Sequence, residues 1–261
     1  MSRTSCWTAC PSPLYSRPCA TALLMIMKVV LLLYPDAMTP PTLLLVHGAW
    51  HGGWCWEKLQ AALDTEATEA RTVDLPSAGG RSGIAADVNA IRQVLARIEG
   101  HVVVVAHSYG GIPVTQAIVE APNVVHVVYL AAFQLDVGES LLGFYGAPLP
   151  PDGEEEQAVP DDPISVFYAD VPASEAEQAV ERLLPQSTRS FSDVVEQAGW
   201  HLIPSTYIVC ERDQALSVEH QEALAGRATE AHPMASSHSP FLSAPEELAA
   251  LLSKIARNTL A

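Results

Sequence analysis

The stretch that decides the fold is "VVVVAHSYGG", Val102–Gly111. Four consecutive valines predict a buried strand, and the two closing glycines mark the turn into another element. Ala106 and Gly110 lie two residues before and two after Ser108, and this spacing of small residues suits a sharp strand-to-helix turn with a serine at its tip. The stretch therefore predicts a strained turn that carries a nucleophile, and the alternative is a serine that caps the following helix.

On both sides of this stretch the chain alternates strand-like and helix-like segments. Apolar runs predict further strands at residues 42–48, 70–76, 124–133, 205–211 and 228–234. Apolar residues at helical spacing predict helices at 56–64, 84–98, 110–121, 217–226 and 244–257. This alternation predicts an α/β fold in which helices cover both faces of a mostly parallel sheet, and such sheets bind ligands at the carboxyl ends of their strands.

The alternation breaks at Gln134 and resumes after Trp200. The intervening segment is rich in proline and holds the acidic run "DGEEE", but 174–184 and 191–200 have helix-like patterns. We expect residues 134–200 to form a small, mainly helical cap over the binding edge. The core is then expected to comprise residues 39–133 and 201–261.

Composition narrows the classes of partner. The chain has 261 residues, with 14 Lys and Arg against 30 Asp and Glu, and a net charge of −16. Phosphate backbones and anionic membranes repel such a surface, so we expect neither nucleic acid nor stable membrane insertion. The five cysteines form no C-x-x-C pair, so neither a disulfide framework nor a zinc site is indicated. A reducing, cytoplasmic location is favoured.

The first 38 residues differ from the rest, since three basic residues there face a single acidic one. The apolar run at 20–33 is too short, and too interrupted by Lys28, for a transmembrane helix. Two interpretations stay open: a genuine extension with little order, or a translation start at a later methionine. If the segment is a signal peptide, the protein is secreted.

A serine nucleophile needs a base and an acid that orients it. In this type of fold the chain order is serine, acid, histidine. Asp213 follows the strand at 205–211, and His238 lies in the loop before the last helix. We therefore predict Ser108, Asp213 and His238 as the catalytic residues, with Asp136, which follows the strand at 124–133, as the alternative acid.

Acyl chemistry also needs hydrogen-bond donors for an oxyanion. The backbone N–H of Tyr109 and that of Ala49, in the glycine-rich loop "HGAWHGGWCW" (47–56), are the candidates. His47 and His51 are expected to hold this loop rather than to act on substrate. Neither a metal nor a cofactor is required. The residues expected to line the substrate pocket are Trp50, His107, Phe133, Phe167 and Trp200.

The motifs "HGAWHGGWCW", "AHSYGG", "YLAAF" and "YIVCERD", with a late histidine, resemble the plant methylesterase and hydroxynitrile lyase branch of the α/β-hydrolase superfamily. Bacterial esterases similar to that branch look closer still. The likeness runs from Thr42 to the C-terminus. It implies an α/β-hydrolase fold and hydrolysis of a small, fairly hydrophobic ester through an acyl-enzyme, and a homodimer is one option for the assembly.

Within that branch, the lyases carry a threonine after the loop histidine and a lysine after the catalytic histidine. Here Gly48 follows His47 and Ser239 follows His238. Both positions favour ester hydrolysis over cyanohydrin cleavage. A ligand receptor with very slow turnover is a further alternative.

Overall fold

The computed structural model describes residues 40–148 and 156–259, so the interpretations of residues 1–38 lie outside the described residues. In this part of the chain the strands are β1 (Thr42–Val46), β2 (Ala70–Val73), β3 (Val102–His107), β4 (Val124–Leu130), β5 (Glu156–Gln157), β6 (Gln186–Ser187), β7 (Ser205–Cys210) and β8 (Glu230–Met234). The helices are α1 (Glu57–Thr65), α2 (Ile84–Leu95), α3 (Gly111–Ala117), α4 (Leu141–Phe144), α5 (Pro163–Phe167), α6 (Ala173–Val180), α7 (Thr188–Ser192), α8 (Val218–Ala225), α9 (Pro240–Ser243) and α10 (Pro245–Asn258). Short 3-10 turns occupy 53–56, 108–110, 118–120 and 199–201.

Six strands form one sheet in the order β2-β1-β3-β4-β7-β8, and every neighbouring pair is parallel. Successive side chains of a strand point to opposite faces. Accordingly Leu44 and Val46 of β1 join the apolar layer beneath α2 and α3, whereas Leu43 and Leu45 join the layer beneath α1 and α10. The predicted α/β architecture, with helices on both faces of a parallel sheet, is confirmed.

Parallel strands bring their carboxyl ends to one edge of the sheet. Ala49 follows β1, Ser108 follows β3, Asp213 follows β7 and His238 follows β8. The fold thus delivers four of the predicted site residues to the same edge.

The cap segment, residues 134–200, carries α4 to α7 and the antiparallel pair β5-β6. Its small apolar cluster consists of Phe167, Tyr168, Val171, Ala176 and Ala179. The expected helix at 174–184 is observed as α6, but the expected helix at 191–200 is wrong. The chain leaves α7 at Ser192, and Val195 exchanges two backbone hydrogen bonds with Gly138 and Glu139, which a helix would not allow.

Among the residues that the structure describes, no helix is long and apolar enough to cross a membrane. Over the same ranges, no group of three or more His, Cys, Asp and Glu side chains is arranged to hold a metal ion.

Candidate active site

The turn at Ser108 has the geometry that the sequence predicts. The φ angle of Ser108 is 51°, in the left-handed region, where a non-glycine residue costs about 1–3 kcal/mol. The turn is held by close backbone packing. A Cβ on Gly110 would lie 2.5 Å from the His47 carbonyl oxygen, and one on Gly111 would lie 2.6 Å from that of Phe133. The glycines therefore let the turn fit between its two neighbouring loops.

Asp213 and His238 form a buried pair. Nδ1 of His238 lies 2.7 Å from Oδ2 of Asp213, and both side chains are almost fully buried. The other carboxylate oxygen accepts the backbone N–H groups of Ala215, at 2.7 Å, and Leu216, at 3.0 Å. An ionised Asp213 makes Nδ1 of His238 a donor, which leaves Nε2 as the basic nitrogen.

Gln221 contacts Asp213 of this pair, and the sequence analysis did not predict it. Its side-chain amide donates to Oδ2 of Asp213, at 3.1 Å, and to the Leu216 carbonyl, at 2.8 Å. Its own oxygen accepts the N–H of Cys210 at 2.8 Å. The signal available in the sequence is a polar residue on the inner face of α8, three positions before the buried Leu224.

His107 places the base beside the nucleophile. The ring of His107 packs on that of His238 at a centroid distance of 4.5 Å. Its Nε2 lies 2.9 Å from the His238 carbonyl oxygen, which can only accept, so His107 is the donor. Burial lowers the pKa of His107 well below its usual range. His107 is therefore neutral and fixes the backbone of the base from the residue that precedes Ser108.

Asp136, the alternative acid, has a different partner. Its carboxylate lies 3.1 Å from Nε2 of His201, and both side chains are substantially exposed. Asp213, in contrast, is the carboxylate that meets His238.

His47 orients the first candidate oxyanion donor. Its Nδ1 donates to the Gly48 carbonyl at 2.8 Å, and its Nε2 accepts the Leu75 N–H at 3.0 Å. Because a trans peptide is planar, the carbonyl of Gly48 and the N–H of Ala49 point in opposite directions. The bond to Gly48 therefore directs the Ala49 N–H away from His47. Burial lowers the pKa of His47 and keeps this arrangement neutral.

His51 fixes the next peptide of the same loop. Its Nδ1 donates to the Ala49 carbonyl at 2.7 Å, and its Nε2 accepts the Tyr168 hydroxyl at 2.7 Å. Burial lowers the pKa of His51 to about 3. Each nitrogen thus has an intramolecular partner, as expected of a histidine that holds the loop.

Tyr109, the second candidate donor, is buried in the first turn after Ser108. Amide N–H groups in a first helical turn lack intrahelical acceptors. Its backbone N–H is therefore suited to an external acceptor, and its hydroxyl donates to Asp87 at 2.6 Å.

Trp50 connects this loop to the cap. Its φ angle is 63°, and its indole N–H lies 3.2 Å from the Gln157 carbonyl oxygen and 3.1 Å from that of Ala158. Its backbone N–H donates to Oε1 of Gln186 at 3.2 Å. Its ring also packs on Phe167, with centroids 5.6 Å apart.

The other aromatic residues predicted to line the pocket are Phe167, Phe133 and Trp200, and each has its own packing partner. Phe167 is buried, and its ring lies 5.8 Å from that of His238. Phe133 packs edge-on against Phe144, and its backbone N–H donates to the Ser108 carbonyl at 3.1 Å. Trp200 stacks on His201 and donates to the Leu135 carbonyl. A role for these three in substrate binding stays a prediction.

A parallel sheet with a serine turn, an acid and a histidine at the carboxyl ends of its strands is the architecture of a known class of hydrolase, and sequence comparison finds the same class. Residues 43–251 match the alpha/beta hydrolase family, and the chain belongs to that family.

Its relatives narrow the class. A carbendazim hydrolyzing esterase of Nocardioides is 38% identical over 117 residues, which are 41% of this chain and 48% of that protein. Methylesterase 7 of Arabidopsis thaliana is 26% identical over 81% of this chain and 95% of its own length. The solved structure of methylesterase MES16 from Arabidopsis superposes with a TM-score of 0.71 at 24% identity, over 84% of this chain and 98% of that one. The protein is a hydrolase of the carboxylesterase type.

Proposed function

We propose that the protein is a serine carboxylic ester hydrolase that works through an acyl-enzyme on Ser108. The observation that carries this proposal is the left-handed φ of Ser108 at a turn whose preceding residue, His107, packs on the ring of His238, the partner of buried Asp213. Backbone strain is retained where the surrounding structure enforces it, and such sites are often functional.

The reaction follows from these positions. Oγ of Ser108 attacks the ester carbonyl carbon while Nε2 of His238 accepts its proton, and Asp213 stabilises the resulting imidazolium. The negative charge on the carbonyl oxygen is stabilised by the N–H groups of Ala49 and Tyr109. The C–O bond then breaks, and the alcohol leaves with the proton from His238. Water repeats the sequence on the acyl-enzyme and releases the carboxylic acid.

The side chains around this edge favour a small, fairly hydrophobic ester. Trp50 and Phe167 lie in mutual contact, and Phe167 also faces the ring of His238. Aromatic faces of this kind bind apolar groups. The names of the relatives, an esterase that hydrolyses carbendazim and a methylesterase, are in keeping with such a substrate.

The geometry at Gly48 disfavours the lyase alternative. A Cβ at this position would lie 2.8 Å from Cβ of Ser108 and 2.9 Å from Nδ1 of His107. A threonine after the loop histidine would therefore require Ser108, His107 or the loop itself to shift.

The test is hydrolysis of p-nitrophenyl esters from acetate to octanoate by the wild type, Ser108→Ala and Ser253→Ala. Ser253 is a buried serine bonded to Thr68, and it serves as the matched control. Loss of a serine nucleophile costs up to about 10⁶-fold in kcat, so we expect Ser108→Ala to be essentially inactive and Ser253→Ala to match the wild type. Equal rates for the wild type and Ser108→Ala on every ester would refute the proposal. Cyanohydrin cleavage and ligand binding without turnover would then be measured.

A further inference from the structure

Asp87 is a buried carboxylate to which the reaction above gives no task. It lies on α2 and is fully buried. It contacts the nucleophile turn through Tyr109, the residue after Ser108. Its Oδ2 accepts the hydroxyl of Tyr109 at 2.6 Å and that of Ser77 at 2.6 Å, and its Oδ1 accepts the Ser77 N–H at 3.0 Å. A buried charge is costly unless hydrogen bonds satisfy it, and these three donors do so.

The same network continues into the cap. The Ser77 hydroxyl, which donates to Asp87, accepts the side-chain N–H of Gln186 at 2.8 Å. Gln186 is fully buried, and the same amide also donates to Ser190 at 2.8 Å. The remaining oxygen of Gln186 accepts the backbone N–H of Trp50 at 3.2 Å.

The two ends of this network are next to the two candidate oxyanion donors. One end is the side chain of Tyr109, whose own N–H is one donor. The other end is the N–H of Trp50, which belongs to the peptide directly after the Ala49 donor. That peptide joins Ala49 to Trp50. His51 holds its carbonyl oxygen, and Gln186 holds its N–H on the opposite side.

We propose that Asp87 and Gln186 are positioning residues that align the two oxyanion donors with each other through this network. The inference rests on the proposed function, because it gives the N–H groups of Ala49 and Tyr109 their task. It also assigns part of the catalytic geometry to the cap, since Gln186 is a cap residue.

The protonation states fit this role. Burial raises the pKa of Tyr109 well above its usual range, so its hydroxyl stays protonated and donates. Burial also raises the pKa of Asp87, to about 6, and the nearby carboxylate of Asp193 acts in the same direction. At neutral pH Asp87 is thus ionised and accepts all three donors. With Asp87 as acceptor, donation runs from Trp50 through Gln186 and Ser77 to the carboxylate, and Tyr109 donates to the same carboxylate from the other end.

The test compares Tyr109→Phe, Asp87→Asn and Gln186→Met with the wild type on the best p-nitrophenyl ester. Misalignment of catalytic groups far from the bond that reacts can cost about 10²-fold. We expect kcat to fall about tenfold in Tyr109→Phe and Gln186→Met and about 10²-fold in Asp87→Asn. KM should stay within about twofold, because the donors act on charge that develops in the transition state.

A second readout separates alignment from general damage. A trifluoromethyl ketone analogue of the ester forms an oxyanion on Ser108, so its inhibition constant should rise by the same factor as kcat/KM falls. The matched control is Tyr129→Phe, which removes a buried hydroxyl bonded to Thr115 at 2.8 Å in the core. We expect Tyr129→Phe to lose stability but to keep the wild-type kcat/KM and the wild-type inhibition constant of the ketone.

The outcomes are distinguishable. If Tyr109→Phe and Gln186→Met keep wild-type kcat and ketone inhibition while they lose stability like Tyr129→Phe, the network is only structural and the inference is wrong. This test does not need Asp87→Asn, so it can still be made with Tyr109→Phe and Gln186→Met if Asp87→Asn does not fold. If the wild type and Ser108→Ala are equally inactive on every ester, the proposed function fails and the inference fails with it, because the two N–H groups then have no oxyanion to bind.

Discussion

The two sides of the candidate site are built differently. On the base side, two ionisable side chains, His238 and Asp213, meet directly, and the other donors to Asp213 are backbone N–H groups and one glutamine. On the oxyanion side, backbone amides are oriented by the neutral rings of His47 and His51, and a buried network extends to the cap. The base side therefore depends on a few strong contacts, and the oxyanion side on many weaker ones.

Among variants that keep Ser108, the largest effect is expected from Asp213→Asn on the base side. An amide in place of the carboxylate favours the wrong tautomer of His238, which lowers kcat about 10⁴-fold in comparable triads. Steady-state hydrolysis of p-nitrophenyl acetate measures this loss. The control is Asp136→Asn, which changes an exposed carboxylate paired with His201 and should keep wild-type kcat. A large loss in Asp136→Asn with little loss in Asp213→Asn would reverse the assignment of the acid.

A smaller effect is expected from Gln221→Leu, which removes one donor to Asp213 but leaves those of Ala215, Leu216 and His238. We expect kcat to fall about tenfold, since a hydrogen bond to a charged group contributes about 1.5–3 kcal/mol. Gln116→Leu is the matched control, because Gln116 is another buried helical glutamine whose partner, the Glu196 N–H, lies in the cap. Equal losses in both variants would mean that Gln221 supports the fold and not the base.

The third prediction concerns stability and probes the oxyanion side. Burial lowers the pKa of His51 from 6.5 to about 3, and it also lowers those of His47 and His107. Between pH 6.5 and pH 3 the unfolded chain binds a proton that folded His51 does not, so stability falls as pH falls below 6.5, by about 1.4 kcal/mol per pH unit for this group. The lowered pKa values of His47 and His107 act in the same direction. Asp87 acts in the opposite direction, since its raised pKa of about 6 favours the folded state on acidification.

Burial also lowers the pKa of half-buried His126. Because, among the residues that the structure describes, four histidines thus oppose the one carboxylate with a raised pKa, Asp87, we expect a net loss of stability between pH 7 and pH 5. Urea unfolding at the two pH values measures it, and His51→Phe should make the difference smaller. An unchanged difference in His51→Phe would mean that His51 is not the neutral, buried ring described above.

The base side could be predicted from the sequence because its residues are polar types in loops that directly follow strands. Ser108 and Asp213 follow fully buried strands, His238 follows the more exposed β8 and precedes the last helices, and the parallel sheet brings all three loops to one edge. Asp87 left a weaker signal, a carboxylate between Ile84 and Ile91 on the apolar face of a helix.

On the oxyanion side the two donors and the loop histidines could be predicted, but the buried network through Ser77 and Gln186 could not. Gln186 lies in the irregular cap, where neutral hydrogen-bonding groups produce no periodic pattern. The helix expected at 191–200 failed for a related reason, because Val195 pairs with residues about 55 positions earlier in the chain, and tertiary contacts of this kind override local propensity.

Gly48 constrains how this active site could evolve. A Cβ there would lie 2.8 Å from Cβ of Ser108 and 2.9 Å from Nδ1 of His107, so any side chain acquired at this position requires one of these neighbours or the loop to shift. A second change that makes room at the nucleophile turn would therefore help any substitution of Gly48 to be tolerated.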